Sequence, residues 1–170
     1  GDGTAAIVEF PGVLYRSGAE AKIRQHLVEN NYVDAVIQLP SDLFFGTNIA
    51  TCIIVLKKSK QDNNVLFVDA SKQFVREGNK NKLSAENQEM ILETLAKRAD
   101  IDHVTALVSA EAIRENGFNL SVSSYVEAED TREEVDIVEL NARIKEIVEC
   151  QAALRASIDE IVADLEGGAR

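Results

Sequence analysis

Two adjacent phenylalanines, Phe44 and Phe45, precede a Gly46-Thr47-Asn48 turn in the middle of the stretch Val33 to Lys58. Short β-branched runs flank them, Val33 to Leu39 before and Cys52 to Leu56 after, and such runs bounded by turn residues read as buried strands. A loop held between two strands is the first place to look for function, because rigid sheets carry their working residues on loops. Covalent chemistry has no comparable set of groups. Gly12 and Gly18 do not form the Gly-x-Gly-x-x-Gly pattern that cradles phosphates, and no Gly-x-Ser-x-Gly elbow is present. His26 falls within a helical pattern with no nucleophile near it. The remaining metal-type ligands are His103, Cys52 and Cys150, whose spacing fits no zinc site. The two cysteines read as free thiols of a reducing compartment.

The elements that must position this loop belong to a chain of 170 residues, enough for one domain of ordinary size, with 45% hydrophobic residues to build a core. No stretch approaches the ~20 apolar residues of a membrane span and no signal peptide is present, so a soluble, cytoplasmic protein is expected. Charge is divided unevenly. Residues 1–82 hold ten Lys/Arg against nine Asp/Glu, and residues 83–170 hold eight against twenty, within a total of −11. An acidic second half does not lie along a phosphate backbone, so any DNA contact is expected from the first half.

The chain begins Gly-Asp-Gly-Thr and enters the apolar run Ala5 to Phe10 at once, which reads as a piece cut just before a strand. Pro11-Gly12 ends that strand. Ser17 with Glu20 reads as a capping box, followed by a helix from about Gly18 to Glu29, closed by Asn30-Asn31. Strand, helix, strand predicts a parallel βαβ unit. The connection to Thr51–Leu56 is too short for another crossover, so the third strand is expected to pair antiparallel. Val65 to Asp69 is a fourth strand. Lys72 to Lys82 reads as an exposed basic loop. Ser84 is expected to cap a helix reaching about Arg98, with Met90, Ile91, Leu92 and Leu95 on or near its buried face. Val104 to Val108 reads as extended, Ser109 as the cap of a short helix closed by Gly117, and Phe118 to Val126 as extended again.

The tail has a different pattern. Thr131 and Glu134 read as a further capping box. Then Ile137, Leu140, Ile144, Ile147, Leu154, Ile158, Ile161 and Leu165 recur at alternating spacings of three and four, with Gln151 in one core slot. About four heptads of this kind predict a coiled-coil-type helix, in which a polar core residue fixes register. Its stripe packs either on its own domain or on another chain, and the linear sequence leaves both open. The expected organisation is residues 1–71 as the C-terminal half of an α/β domain, 72–130 as a mixed helical extension, and 131–170 as the coiled-coil-like helix.

Several motifs in order carry a resemblance. Gly12 to Gly18 reads GVLYRSG, Ala19 to Arg24 reads AEAKIR, Val33 to Pro40 reads VDAVIQLP, and Leu43 to Lys58 reads LFFGTNIATCIIVLKK. Leu66 to Ser71 reads LFVDAS, and Asn119 to Val126 reads NLSVSSYV. Together they resemble the modification (M) subunits of type I restriction–modification systems, which are adenine-N6 DNA methyltransferases. Ala50 stands where that family commonly has Pro, and Ser124 where it commonly has Arg.

The resemblance implies the C-terminal part of a Rossmann-like methyltransferase sheet, parallel strands plus an antiparallel hairpin, followed by a helical region. It implies base flipping and methyl transfer from S-adenosylmethionine. Neither the Asn-Pro-Pro-Phe/Tyr motif nor the cofactor's Gly-rich loop is present, so no cofactor binding or methylation is expected of this piece alone. The loop Phe44, Phe45, Gly46, Thr47 and Asn48 is implied as the target-base loop, with Phe44 stacking on the flipped base and Phe45 as second choice. One of the two rings is expected to be core. Arg16, Lys57, Lys58 and Lys60 become candidates for phosphate contacts. The implied partners are a specificity subunit meeting the heptad helix, a second modification subunit, the restriction subunit and double-stranded DNA. A non-enzymatic helical interaction module is the competing reading, and it gives no reason for an exposed Phe-Phe-Gly-Thr loop.

Overall fold

The computed structural model describes residues 2–129 and 137–167, which fall into two compact units divided between Glu129 and Asp130. The Thr131/Glu134 capping box lies outside the described residues. In the first unit, β1 (Thr4–Glu9), α1 (Ala19–Glu29), β2 (Val33–Gln38), β3 (Cys52–Lys57) and β4 (Asn64–Asp69) are followed by α2 (Ala85–Lys97), after two short strands given below. The chain then forms a further strand (Thr105–Ser109) and α3 (Ala110–Glu115).

The short strands are β5 (Val75–Glu77) and β6 (Lys80–Lys82), an antiparallel hairpin of their own, which makes Thr105–Ser109 β7. The main sheet has the order β1-β3-β2-β4-β7. β3 is antiparallel to both β1 and β2, β4 is parallel to β2, and β7 is antiparallel to β4. So β1, β2 and β4 share one direction, and their carboxyl ends share one edge of the sheet. β7 comes from the segment after residue 72, so the expected division at 71/72 cuts across one sheet.

The antiparallel β2–β3 pair is as expected, but the simple βαβ pair is not. β1 and β2 point the same way with β3 between them. The turn from β3 to β4 then crosses the amino end of β2 and delivers β4 to its far side. Side chains pin that crossing: Lys60 Nζ donates to the carbonyls of Val33 and Asn64, both at 2.7 Å, and Asn31 Nδ2 donates to that of Asp62 at 2.8 Å.

The sheet is buried on both faces at β2 and β4, whereas every residue of β1 is exposed. Val36, Val65 and Phe67 join Leu14, Val28, Ile113, Leu120, Val122 and Val126 on one face, while Ala35, Ile37, Leu66 and Val68 meet Ile91 on the other. A register shift between Val33 and Ala35 puts these two residues, two apart, on opposite faces, as a bulge does. Burying each such side chain contributes roughly 1.5–3 kcal/mol.

Four local expectations change. Ser17 and Glu20 make no capping box; the N-cap of α1 is Gly18 at φ 85°, which favours glycine, with no side-chain cap. Lys72 to Lys82 contains the β5–β6 hairpin, with Asn81 buried. On α2, Ile91 and Leu95 pack inward but Met90 and Leu92 are exposed, and Thr94 takes the inner position instead. Phe118 to Val126 is not extended throughout: Val122–Ser124 is a 3-10 turn that buries Leu120, Val122 and Val126. The Ser84 and Ser109 caps form as expected, the first as a box with Asn87.

The second unit is one helix, α4 (Ile137–Gly167), about 46 Å long at 1.5 Å per residue. It buries none of its residues, so Ile137, Leu140, Ile144, Ile147, Leu154, Ile158, Ile161 and Leu165 are all exposed along one stripe, as is Gln151. No helix among the described residues is long and apolar enough to cross a membrane.

Candidate functional site

The Phe44–Phe45 loop leaves the carboxyl end of β2, on the edge where β1 and β4 also end. Ligands of open α/β sheets collect outside such carboxyl ends. Neither ring is core, contrary to expectation: Phe44 is 43% and Phe45 97% exposed. The loop turns because Gly46 sits at φ 78°, a conformation that glycine takes without strain, and because Thr47 Oγ1 accepts from the Ile49 amide at 3.1 Å. Phe44, Phe45 and Thr47 line a shallow cleft of about 290 Å³ with Val8, Glu9, Phe10 and Thr51. Phe10 and Val8 are half exposed, so the cleft rim is an apolar patch at the end of the sheet. Thr51 is buried and its hydroxyl has no partner among the described residues.

The β5–β6 hairpin holds this loop from outside. Lys80 Nζ donates to the carbonyls of Phe44 and Thr47, each at 3.1 Å, and lies 3.8 Å from Asp42 Oδ1. Asn81 donates from its side chain to the Ser41 carbonyl at 2.9 Å and from its amide to the Asp42 carbonyl at 3.1 Å. Arg76 donates to Asn81 Oδ1 at 2.9 Å and pairs with Asp42 at 3.6 Å. Sequence reasoning missed Asp42, Arg76, Lys80 and Asn81, as well as Phe10 and Thr51. Two three-residue strands carry no period to detect, and only the Gly78-Asn79 turn hinted at a hairpin.

The phosphate candidates are not brought together. Lys57 and Lys58 lie at the opposite end of β3 from the loop, roughly 20 Å away at about 3.3 Å per strand residue; Lys58 is exposed and Lys57 half-buried. Lys60 is withdrawn from solvent chemistry: its ammonium serves the Val33 and Asn64 carbonyls, and burial holds its pKa below the ordinary lysine value despite Asp62 and Asp34. Arg16 is exposed on the loop's side of the sheet, 3.9 Å from Glu20, a contact worth little in solvent.

The Asn119 to Val126 motif buries Leu120, Val122 and Val126 and leaves Ser123 and Ser124 exposed. Tyr125 stacks on Phe67 at 4.3 Å and donates its hydroxyl to the Asn119 carbonyl at 2.6 Å, and burial raises its pKa. Ser124 Oγ accepts from Asn119 Nδ2 at 3.1 Å. Arg24, 6% exposed, reaches from α1 to donate to the carbonyls of Phe118 at 3.0 Å and Val13 at 2.8 Å.

Comparison with known proteins bears on this arrangement. The family model for N-6 DNA Methylase matches residues 1–134. The type I restriction enzyme MpnII methylase subunit of Mycoplasma pneumoniae is 46% identical over 166 residues, 97% of this chain and 31% of that protein. The MjaVII methylase subunit of Methanocaldococcus jannaschii is 32% identical over 95% of this chain and 28% of its own length. The chain thus spans about a third of the curated relatives it matches. The solved type I restriction-modification methyltransferase subunit of Streptococcus thermophilus superposes with TM-score 0.71 at 43% identity, covering 74% of this chain and 27% of that one.

Proposed function

We propose, from the fact that this chain belongs to the N-6 DNA methylase family, that it is the C-terminal third of the DNA-methylating subunit of a cytoplasmic type I restriction–modification system. The intact subunit transfers a methyl group from S-adenosylmethionine to N6 of an adenine in double-stranded DNA. This chain supplies the loop that receives the flipped adenine and the helix that meets the specificity subunit. A second modification subunit and the restriction subunit complete the assembly.

The observation that carries this reading is the outward-facing Phe44–Phe45 loop at the carboxyl ends of three codirectional strands. Phe44 is the stacking residue: its ring is partly held by the cleft, so less ordering entropy is lost on contact than at the fully solvated Phe45. An aromatic face contributes roughly 1–3 kcal/mol per stacked base. Phosphate contacts fall to Arg16, Lys57 and Lys58. A duplex touching both the loop and Lys58 spans about 20 Å, roughly six base pairs at 3.4 Å each.

The Asn-Pro-Pro-Phe/Tyr motif and the cofactor's Gly-rich loop are not in this sequence. On that ground neither S-adenosylmethionine binding nor methylation is expected of this chain alone, and a rise in its melting temperature with that compound counts against the assignment. The competing reading, a freestanding interaction module, rests on α4 and leaves the exposed loop without a use.

The test is methyl incorporation by the intact subunit, assembled with its specificity subunit, into unmethylated genomic DNA. Phe44→Ala is expected to lower the single-turnover rate about 5–150-fold, the equivalent of 1–3 kcal/mol. Wild-type rates in both Phe44→Ala and Phe45→Ala refute the loop assignment. For the helix, Ile147→Asp with Leu154→Asp is expected to abolish co-purification with the specificity subunit. Retained co-purification moves that interface into residues 1–129.

A further inference from the structure

We propose that Lys80 is a positioning residue for methyl transfer, acting through the backbone of the Phe44–Thr47 turn; this rests on the reading of that turn as the target-base loop. The turn has little of its own to hold it. Within residues 41–49 the one side-chain bond is Thr47 Oγ1 with the Ile49 amide, while Asp42 sits at φ 57° and Gly46 at φ 78°. Asp42 is a non-glycine residue in the left-handed region, which costs of order 1 kcal/mol unless its surroundings fix it.

Those surroundings are the β5–β6 hairpin. Asn81 uses its side-chain amide, its side-chain carbonyl and its backbone amide in one network that ties Ser41, Asp42 and Arg76 together. Lys80 supplies the contacts nearest the rings. Its ammonium bridges the carbonyls of Phe44 and Thr47, the first and last residues of the turn, and closes it like a clasp. Asp42, 3.8 Å away, balances the charge, and the lysine side chain is 35% exposed. Charge-assisted bonds of this kind are the stronger class. The two carbonyls are oriented by one cation, and the direction of the Phe44 ring follows from the backbone between them.

A ring misplaced by about 1 Å can lower a rate by up to about 10²-fold. Loss of the clasp is therefore read in the chemical step rather than in DNA affinity. The chosen variants are Lys80→Met, which keeps the stem and removes the ammonium, and Lys80→Arg, which keeps donors for both carbonyls. They are compared with Phe44→Ala in the intact subunit assembled with its specificity subunit, on unmethylated genomic DNA. The fraction of competent subunit is counted by S-adenosylmethionine binding stoichiometry.

Lys80→Met is expected to lower kcat per competent site about tenfold, with KM for DNA within twofold of wild type, and Lys80→Arg to recover most of that loss. A Lys80→Met subunit with fewer competent sites but a normal rate per site overturns the proposal, since the lysine then serves only stability. A slow Phe44→Ala beside a normal Lys80→Met overturns the Lys80 inference and leaves the loop reading standing. Normal rates in both Phe44→Ala and Phe45→Ala overturn the loop reading, and this inference with it.

Discussion

Replacing Arg24 by methionine isolates the staple that joins α1 to two distant parts of the first unit. Arg24 is 6% exposed, and its guanidinium donates to the carbonyls of Val13 and Phe118, 11 and 94 residues away. Phe118 itself sits at φ 57°, so the bond to its carbonyl also holds a strained residue in place. Methionine fills similar space but offers no donor. Hydrogen bonds to a charged group are worth about 1.5–3 kcal/mol each. Burial works against the charge, lowering the pKa of Arg24 although Glu20 pulls it back, so the low end of that range applies. The expected cost is about 2–4 kcal/mol, much of it from two partly buried carbonyls left unpaired.

For a unit of this size, roughly 3–5 °C of melting temperature accompanies each kcal/mol. The expected fall is therefore about 10 °C, read in urea as a lower midpoint at unchanged slope. With no Trp in the chain, tyrosine signals report the unfolding, and Tyr125 stacks on Phe67 in the same core. Arg24→Lys is expected to recover about half, since an ammonium lacks the planar fork. A loss under about 0.5 kcal/mol for Arg24→Met would mean that the guanidinium is no staple, because water would then be satisfying both carbonyls.

Three further outcomes follow from groups at defined sites. Thr51→Val removes a buried hydroxyl with no partner among the described residues, so stability is expected to hold or rise by up to about 1 kcal/mol; a loss above 1 kcal/mol in thermal melts reveals a bond formed by that hydroxyl. Burial and the Glu9 charge push the Cys52 thiol up to about 11, while Cys150 is exposed. A disulfide reagent at pH 8 is expected to titrate one thiol in the folded chain and two in urea, since only the thiolate reacts, and two fast thiols in the folded chain contradict this. Burial depresses the pKa of Lys60, so between its folded value and the ordinary ~10.4 the unfolded chain binds the extra proton and stability rises with pH. Wild type is expected to gain on Lys60→Met as pH rises toward 10 in urea melts, and a flat or falling difference rejects the assignment.

The strands themselves were legible, because β-branched runs bounded by turns leave few alternatives. Val33–Gln38, Cys52–Lys57 and Asn64–Asp69 lie within a residue or two of their expected limits. Their order was not legible. Whether β4 pairs with β3 or passes beneath β2 depends on Lys60 and Asn31 reaching backbone carbonyls, and lysine type alone suggested a free cation instead. The loop's place at a strand end followed from Gly46 and its apolar flanks. What holds it did not: Lys80 and Asn81 sit in a polar stretch whose composition matches a solvated loop, and only tertiary contact distinguishes the two. The stripe of α4 was readable from spacing, but what covers it was not, because spacing carries no information about the surface that meets it.

The insertion of β3 between β1 and β2 has a consequence for biosynthesis. Thr4 pairs with Lys57, and β3 is the one neighbour of β1 among the described strands. At about 5–20 residues per second, roughly fifty residues of translation leave β1 waiting some 3–10 s for its partner. Through that interval the edge of Ala5, Ala6, Ile7 and Val8 that β3 later covers stays unpaired, with Asp2 on one side of this apolar run and Glu9 on the other. Flanking charges of this kind discourage strand pairing between neighbouring polypeptides on one messenger while that edge is open.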